Sequence, residues 1–167
     1  ASPAADGAPN LLAMDALVEL SSVRGERLLP VDQFVVGNRQ TVRRNDEMVT
    51  AIRIPKPAGE ARSTFLKLGA RKYLVISIVM VAAVIERGED QSIVAARLAV
   101  GSCSAVARRL PELEALLQGR KLTPDIIREV RSEHLAGLSP IDDVRGTADY
   151  RRDAALALIK RALRELP

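Results

Sequence analysis

The amino-acid sequence predicts an α+β fold, because strand-like and helix-like patterns occupy successive parts of the chain. Short alternating or Val- and Ile-rich segments, bounded by Gly and Pro, fill the chain up to residue 101. From residue 110 onward the apolar residues recur at helical spacing. Strands followed by helices are typical of the α+β class. With 47% apolar residues the 167-residue chain can bury a usable core, which must be aliphatic because only 2% of the residues are aromatic.

The first part of the chain predicts a hairpin and one further strand. Residues 1–16 contain a loop and a short apolar stretch that suits one or two helical turns. Residues 18–21 and 27–31 alternate in polarity on either side of Gly25, which is the pattern of a β-hairpin. Residues 48–55 alternate again and end in a proline, which predicts another strand.

A candidate domain boundary precedes the next group of strands. Residues 56–62 combine Pro, Gly and charged residues without any periodicity. Three strand-like segments follow, at 63–71, 76–86 and 93–101. Their spacing predicts an antiparallel three-stranded sheet.

Helical segments are predicted after the sheet. Residues 110–117 form a short amphipathic stretch that ends before Gly119. Thr123 and Pro124 have the pattern of an N-cap and a first helical residue. Residues 146–149 open the last helix, and its apolar residues form one stripe.

Composition and charge exclude several classes of function. The net charge of +4 is spread over interleaved acidic and basic residues, which is the pattern of a solvated surface and not of a nucleic-acid-binding face. One cysteine, Cys103, and one histidine, His134, cannot build an iron–sulfur cluster or a zinc site by themselves. The longest apolar run is about 13 residues, short of the about 20 that a membrane-spanning helix needs. No secretory signal is visible. We expect a cytoplasmic protein with no nucleic-acid partner, no membrane span and no metal site of its own.

Five residues are candidates for chemistry, and each has a plainer interpretation. Asp6, on a loop of small residues, could approach a ribityl chain or a pyrophosphate, or could be a turn or N-cap residue. Lys67 could stabilise negative charge on a reduced flavin ring, or could lie on a solvated face. Asp142 and Asp143 suit helix caps better than acid–base catalysis. Cys103 has no neighbouring base in the sequence and is a weak nucleophile candidate. The patterns identify no catalytic residue.

Several motifs carry a resemblance to a known family. In order along the chain they are ASPAADGAP, LLPVDQFVVGNRQTVRRNDEMVTAIRIP, FLKLGARK with SIVMVAAVIE, and SPIDDVRGTADYRRDAALALIKRAL. Each motif alone is weak evidence for any one protein family, but the four together, in this order and at this spacing from residue 1 to residue 166, are strong evidence. The chain resembles the C-terminal portion of the FAD-binding medium subunit of molybdenum hydroxylases, the family of xanthine dehydrogenase and carbon monoxide dehydrogenase.

The resemblance implies two domains and two partner subunits. Residues 1–58 would form the end of a FAD-binding domain of the vanillyl-alcohol-oxidase type. Residues 62–167 would form the C-terminal domain, a three-stranded antiparallel sheet packed on a helix bundle. In this family a large subunit binds molybdopterin and hydroxylates the substrate, and a small subunit carries [2Fe–2S] clusters that pass electrons to FAD. The flavin then reduces NAD, oxygen or another acceptor.

The resemblance also assigns cofactor-binding residues. The acid of the SPxxD loop, which lies at the flavin in relatives, matches Asp6, and Ser2 stands beside it. The aliphatic position that packs on the isoalloxazine ring matches Val49. The lysine of the F-x-K strand matches Lys67.

The chain also departs from the family pattern. Val75 stands where many relatives have an Asp, and Asn38 stands where a Tyr is common, so the flavin potential and the acceptor are left open. The Gly-rich pyrophosphate loop and the G-G-N turn lie ahead of the SPxxD loop in relatives, and this chain contains neither. Because the chain also starts inside a loop without an initiator Met, we expect a missing N-terminal segment of the FAD-binding domain. The function implied is that of an electron-transfer subunit in the form of a C-terminal fragment. The alternative is a non-enzymatic subunit-docking module without bound flavin.

Overall fold

The computed structural model describes residues 1–166, in which nine strands, five α-helices and one 3-10 helix are formed. The strands are β1 (Leu17–Ser22), β2 (Gly25–Pro30), β3 (Val35–Gly37), β4 (Gln40–Thr41), β5 (Met48–Arg53), β6 (Glu60–Leu68), β7 (Val79–Arg87), β8 (Ile93–Gly101) and β9 (Arg108–Arg109). The α-helices are α1 (Gly7–Ala13), α2 (Val31–Phe34), α3 (Pro111–Leu117), α4 (Pro124–Glu129) and α5 (Ala148–Arg164), and the 3-10 helix is Ser132–Leu135. The predicted α+β class is confirmed.

The strands form three antiparallel sheets. The first has the order β2-β1-β5, the second pairs β3 with β4, and the third has the order β6-β7-β8-β9. The predicted hairpin is formed by β1 and β2, and Gly25 at the start of β2 has a φ of +119°, a value that favours glycine. The predicted strand at 48–55 is β5, which ends at Arg53 ahead of Pro55.

The third sheet contains the three predicted strands together with a short fourth strand. β8 has the predicted bounds, whereas β6 starts and ends three residues ahead of the predicted 63–71 and β7 starts three residues after the predicted 76. The early end of β6 and the late start of β7 have one cause, because the loop that connects the two strands is closed by the Ile78 N–H, which donates to the Leu68 carbonyl at 2.8 Å. β9 pairs with the outer edge of β8, and a strand of two residues is too short to show an alternation in the sequence.

The helices after the sheet begin close to their predicted caps. The Thr123 hydroxyl accepts the Ile126 N–H at 3.5 Å at the start of α4. The Thr147 hydroxyl accepts the Tyr150 N–H at 3.2 Å, so α5 begins directly after Thr147, within the predicted opening segment 146–149. None of the helices within residues 1–166 has the length and apolar character needed to cross a membrane.

Strand β7 is buried on both faces and lies at the centre of the fold. Its side chains belong alternately to two apolar clusters, because successive side chains of a strand point to opposite faces. The face toward α3, α4 and α5 carries Val79, Val81, Ala83 and Ile85. The opposite face, toward α1 and β1, carries Ala82 and Val84. This double burial explains why the sequence of β7 is a continuous apolar run without polar alternation.

The second cluster joins the chain segments that flank the predicted boundary. It combines residues of α1 and β1, among them Leu12 and Leu20, with residues of β7 and β8. Pro9 of α1 approaches Gly101 at the end of β8 so closely that a β-carbon on Gly101 would lie 3.4 Å from the Pro9 Cγ and 2.6 Å from the Met80 Cε. The N-terminal segment therefore packs directly on the third sheet.

Two arginines of the third sheet hold the C-terminal end of α1. Arg97 Nε donates to the Ala13 carbonyl at 2.9 Å, and Arg109 Nη1 donates to the Leu12 carbonyl at 3.2 Å. Asp15, just after the helix, pairs with both guanidinium groups at 3.4 and 2.7 Å. Carbonyl groups at a helix end have no partner within the helix, so these donors fix α1 to the sheet.

Glu47 is a buried carboxylate that fastens the loop before β5. It accepts Arg27 Nε at 2.7 Å, Arg27 Nη2 at 2.8 Å and the Arg44 N–H at 2.7 Å. These hydrogen bonds, that from Arg27 first, lower the pKa of Glu47 from 4.5 to about 2. The carboxylate is therefore charged at neutral pH, and it links the Arg27 side chain to the backbone of Arg44.

We predict that Gly101→Ala lowers the free energy of unfolding. The added methyl group must displace the end of the Met80 side chain and press on Pro9, and overpacking of this kind costs about 1–3 kcal/mol. Urea denaturation of the variant measures the change. Gly7→Ala is the matched control, because nothing lies within 4 Å of the β-carbon it adds. Equal losses for the two variants would contradict the close packing of α1 on β8.

We predict that Glu47→Gln removes part of the acid sensitivity of the fold. A carboxylate with a lowered pKa stabilises the folded state above its unfolded pKa of 4.5, and this contribution is lost as the pH falls toward about 2. The urea midpoint of the unmodified chain should therefore fall more steeply between these pH values than that of the variant. Glu60→Gln, which removes an exposed carboxylate paired only with Arg62, should leave the slope unchanged. Parallel slopes for Glu47→Gln and the unmodified chain would refute this prediction.

Candidate functional site

The loop before α1 carries two of the predicted site residues, Ser2 and Asp6. It turns on itself through the Ala5 N–H, which donates to the Ser2 carbonyl at 3.1 Å. The Pro3 carbonyl accepts the Ser102 N–H at 2.9 Å, just beyond the end of β8. The loop is therefore attached to the third sheet through its backbone.

Asp6 occupies the N-cap position of α1, but its carboxylate makes no capping hydrogen bond. Oδ2 accepts from Lys67 Nζ at 2.6 Å, and Oδ1 accepts from Ser77 Oγ at 2.8 Å. The hydrogen bond from Lys67 is the main reason that the pKa of Asp6 lies below 3.8, so the group is ionised at neutral pH. A carboxylate has about four lone-pair sites, so each oxygen can accept from a further donor.

Lys67 reaches this loop from strand β6, where it pairs in register with Met80. Its side chain is 27% exposed, so Lys67 contacts Asp6 while part of its side chain stays in contact with solvent. An ammonium has three donors, and only one is used by Asp6. The pair can therefore offer both a cation and a carboxylate to one ligand.

A cavity of about 250 Å³ opens beside the same loop. Its wall consists mainly of small and apolar side chains from the loop, α1, α2 and the segment before β9, including Ser2, Ala5, Ala8, Leu11, Val31 and Ala105. Complete sites for drug-sized ligands measure about 300–1,000 Å³. The cavity is smaller than this range, and Ser2 is the one predicted site residue on its wall, because neither Asp6 nor Lys67 is among its lining residues.

Val49 belongs to the first sheet, whereas Lys67 lies on β6 of the third sheet and Ser2 and Asp6 lie on the loop before α1. Val49 belongs to β5, at the edge of the first sheet, and pairs in register with Leu20. Its side chain is 42% exposed. The structure thus brings Ser2, Asp6 and Lys67 to one loop, and presents Val49 on the surface of the first sheet.

Ser77 is a site residue that the sequence analysis did not single out. It is fully buried, its hydroxyl donates to Asp6, and its carbonyl accepts from Arg145 Nη1 at 2.9 Å. One sequence signal could have revealed it, because Ser77 is the single polar residue inside the apolar run that leads into β7. A lone hydroxyl in such a run must find a partner when it is buried.

The two adjacent acids before α5 have different partners. Asp142 acts as the predicted cap, since its Oδ1 accepts the Ala148 N–H at 2.6 Å. Asp143 does not cap a helix but binds the guanidinium groups of Arg145 and Arg151, at 2.6 and 2.5 Å. These bonds, those from Arg145 first, lower the pKa of Asp143 from 3.8 to about 2.

The surroundings of Cys103 and His134 suit structural roles and not chemical ones. Burial raises the pKa of the Cys103 thiol to about 11, so the thiol is protonated at neutral pH and is a poor nucleophile. His134 lies on the 3-10 helix, where its Nδ1 accepts the Arg131 N–H at 3.0 Å. Over residues 1–166, no three His, Cys, Asp or Glu side chains are grouped so as to hold a metal ion.

Two protein-family models match the chain in succession. The FAD binding domain in molybdopterin dehydrogenase matches residues 1–57, and the CO dehydrogenase flavoprotein C-terminal domain matches residues 64–166. The change from one model to the other falls within the segment where β6 begins.

Curated relatives are medium subunits of several oxidoreductases. The nicotine 6-hydroxylase medium subunit of Paenarthrobacter nicotinovorans is 33% identical over 156 residues, which are 93% of this chain and 53% of the relative. The glyceraldehyde dehydrogenase medium chain of Sulfolobus acidocaldarius is 30% identical over 168 residues, which are 99% of this chain and 58% of the relative. The chain thus spans little more than half the length of these relatives.

A solved structure has the same fold. A chain of the carbon monoxide dehydrogenase from Hydrogenophaga pseudoflava superposes with a TM-score of 0.88 at 28% identity, over 98% of this chain and 56% of the other. The two family models, the relatives and this superposition agree with one another over nearly the whole sequence. The chain therefore belongs to the family of FAD-binding medium subunits of molybdenum hydroxylases, which includes the xanthine and carbon monoxide dehydrogenases.

Proposed function

We propose that this chain is the C-terminal part of a FAD-binding electron-transfer subunit in a molybdenum-dependent hydroxylase or dehydrogenase. The observation that carries the proposal is the contact of Asp6 with Lys67 and Ser77, at 2.6 and 2.8 Å. This contact places a carboxylate and a partly exposed cation on the loop that the family resemblance assigns to the flavin. FAD, when bound, supplies the chemistry that links one-electron donors to an electron acceptor.

The residues of the chain have distinct tasks in this proposal. Lys67 supplies positive charge, which favours a cofactor that becomes more negative when it is reduced. The carboxylate of Asp6 accepts hydrogen bonds from hydroxyl or N–H groups of the cofactor and holds the Lys67 ammonium in place. Ser2, on the cavity wall, offers a hydroxyl, and Val49 offers an apolar surface for a ring.

The proposed assembly includes components that lie on other chains or segments. A large subunit would bind molybdopterin and hydroxylate the substrate, and a small subunit would carry the [2Fe–2S] clusters that deliver electrons. A further N-terminal segment of the FAD-binding domain would supply the Gly-rich turns for the pyrophosphate. We place this assembly in the cytoplasm and assign it an oxidoreductase activity like that of xanthine dehydrogenase, with the chain inactive by itself.

One observation favours a second candidate, a subunit-docking module without bound flavin. Strand β5 is an edge strand of the first sheet, and four of the apolar residues on it and just after it are largely exposed, namely Met48 (70%), Val49, Ile52 and Ile54. An exposed apolar edge strand is a surface on which another polypeptide segment packs. The flavin and docking functions differ in whether the assembled protein binds FAD.

We predict that the 167-residue chain alone binds FAD weakly or not at all. The cavity of about 250 Å³ is small for a cofactor as large as FAD, and no Gly-rich pyrophosphate loop occurs in the sequence. Titration with FAD, followed by flavin fluorescence, measures the affinity, and the same titration after addition of the N-terminal half of a relative's FAD-binding domain is the positive control. Tight stoichiometric binding by the chain alone would disprove this prediction.

We predict that Lys67→Met weakens FAD binding and lowers the midpoint potential of the flavin in the complete subunit. A hydrogen bond from a charged donor contributes about 1.5–3 kcal/mol, so the FAD dissociation constant should rise about tenfold or more. The potential should fall because a cation that favours the reduced cofactor is removed. Lys56→Met removes a similar charge from an exposed loop residue and should change neither quantity. An unchanged dissociation constant and potential in Lys67→Met would argue against the proposed role of Lys67.

A further inference from the structure

Three charged side chains form a compact ion cluster behind the site. Asp143 Oδ2 accepts from Arg145 Nη2 at 2.6 Å, and Asp143 Oδ1 accepts from Arg151 Nη2 at 2.5 Å. The backbone is part of the same arrangement, because the Arg145 N–H donates to Asp143 Oδ1 at 2.8 Å. One carboxylate therefore orients two guanidinium groups, and we call these three residues the Asp143 cluster.

Arg151 is the most deeply placed member of the Asp143 cluster. It projects from α5 and is only 1% exposed, so its charge is removed from water. Its Nε has no hydrogen-bond partner within residues 1–166, and Asp143 is the carboxylate that balances its charge. A buried cation is tolerated only when it is paired and hydrogen-bonded, so an arginine at this position requires Asp143.

The two guanidinium groups point their remaining donors at the backbone of the third sheet. Arg145 Nη1 donates to the Ser77 carbonyl at 2.9 Å. Arg151 Nη1 donates to the Ser102 carbonyl at 3.1 Å and to the Ile78 carbonyl at 2.7 Å. The Asp143 cluster thus fixes the two residues before β7 and the residue just after β8.

Ser77 and Ser102 are the two serines that hold the N-terminal loop. The Ser77 hydroxyl donates to Asp6 at 2.8 Å, and the Ser102 N–H donates to the Pro3 carbonyl at 2.9 Å. Ser102 has a φ of +64°, a left-handed conformation that a serine keeps only when its neighbours hold it. The hydrogen bond on its carbonyl and the one on its N–H provide this restraint.

We propose that the Asp143 cluster is a positioning element that sets the loop of Asp6 for the flavin. Arg145 acts through Ser77 on the carboxylate of Asp6, and Arg151 acts through Ser102 on the backbone at Pro3. None of the three residues contacts the loop itself by a hydrogen bond or ion pair within the described chain. The inference rests on the proposed function and adds to it residues that affect the cofactor indirectly.

The first experiment uses Arg145→Ala in the complete subunit, in which the Asp143–Arg151 pair is retained. The FAD dissociation constant, measured by flavin fluorescence, should rise about tenfold. Arg145→Lys should restore part of the affinity, because a lysine keeps the charge but loses the fork of donors. Arg161→Ala, which breaks an exposed pair between α5 and its C-cap residue Glu165, is the control and should leave the affinity unchanged.

A double-mutant cycle separates positioning from general loss of structure. If Arg145 acts through Asp6, the effects of Arg145→Ala and Asp6→Asn on FAD affinity should be less than additive when combined. Additive effects, or an unchanged affinity in Arg145→Ala, would overturn the inference. Failure of the unmodified subunit to bind FAD would instead overturn the proposed function, so the two failures are distinguishable.

Hydrogen exchange tests the connection from Arg151 through Ser102 to Pro3 without any need for flavin. In Asp143→Asn the Ser102 amide should exchange faster than in the unmodified protein, since Arg151 loses its counter-charge and its hold on Ser102. In Arg145→Ala the exchange of the Ser102 amide should not change, because Ser102 is held by Arg151 and not by Arg145. Equal exchange rates of the Ser102 amide in Asp143→Asn and the unmodified protein would refute the role of Arg151 in holding the loop through Ser102. If Asp143→Asn does not fold, the affinities of Arg145→Ala and its double mutant decide the inference.

Discussion

The burial of strand β7 on both faces is the constraint on which the rest of the structure depends. One face needs the cover of α3, α4 and α5, and the other needs α1 and β1. Without this cover, each Val, Ile or Met side chain of β7 would stay in contact with water and forgo about 1.5–3 kcal/mol of burial free energy. Because the second cover comes from the beginning of the chain, the N-terminal loop and α1 are brought onto the sheet that the later residues form. The proximity of Asp6 to Lys67 follows from this packing.

Around this apolar centre, charged side chains connect segments that are distant in sequence through hydrogen bonds and ion pairs. Arg97 and Arg109 bind the end of α1, and the Asp143 cluster binds the backbone that meets its start. Charges so placed add little through attraction alone, since their desolvation offsets much of it. Their main contribution is geometric specificity, because a guanidinium group with several fixed donors allows few alternative arrangements of the loop it holds.

Much of the fold could be predicted from the sequence, and the reasons for success and failure are physical. The hairpin around Gly25, the bounds of β8 and the cap at Thr123 rest on local signals, which a short window of sequence contains. The ends of β6 and β7 depend on how the loop between them closes, and β9 depends on an edge offered by β8, so local patterns missed both. The resemblance assigned Asp6 and Lys67 to one site, whereas periodicity could not bring together residues 61 positions apart. Ser77 and Asp143 act through partners on other elements, and no spacing rule reports such contacts.

The position of Arg151 near the end of the chain has a consequence for how the protein is made. A ribosome adds residues in order, and helix α5, which carries Arg151, begins at Ala148, far behind the loop of Asp6 in the sequence. Until that helix has emerged and docked, Ser102 lacks the donor on its carbonyl and the first residues of the chain have an incomplete support. The loop of Asp6 is therefore synthesised well before the helix that completes its support, and it reaches its final position only after α5 has docked.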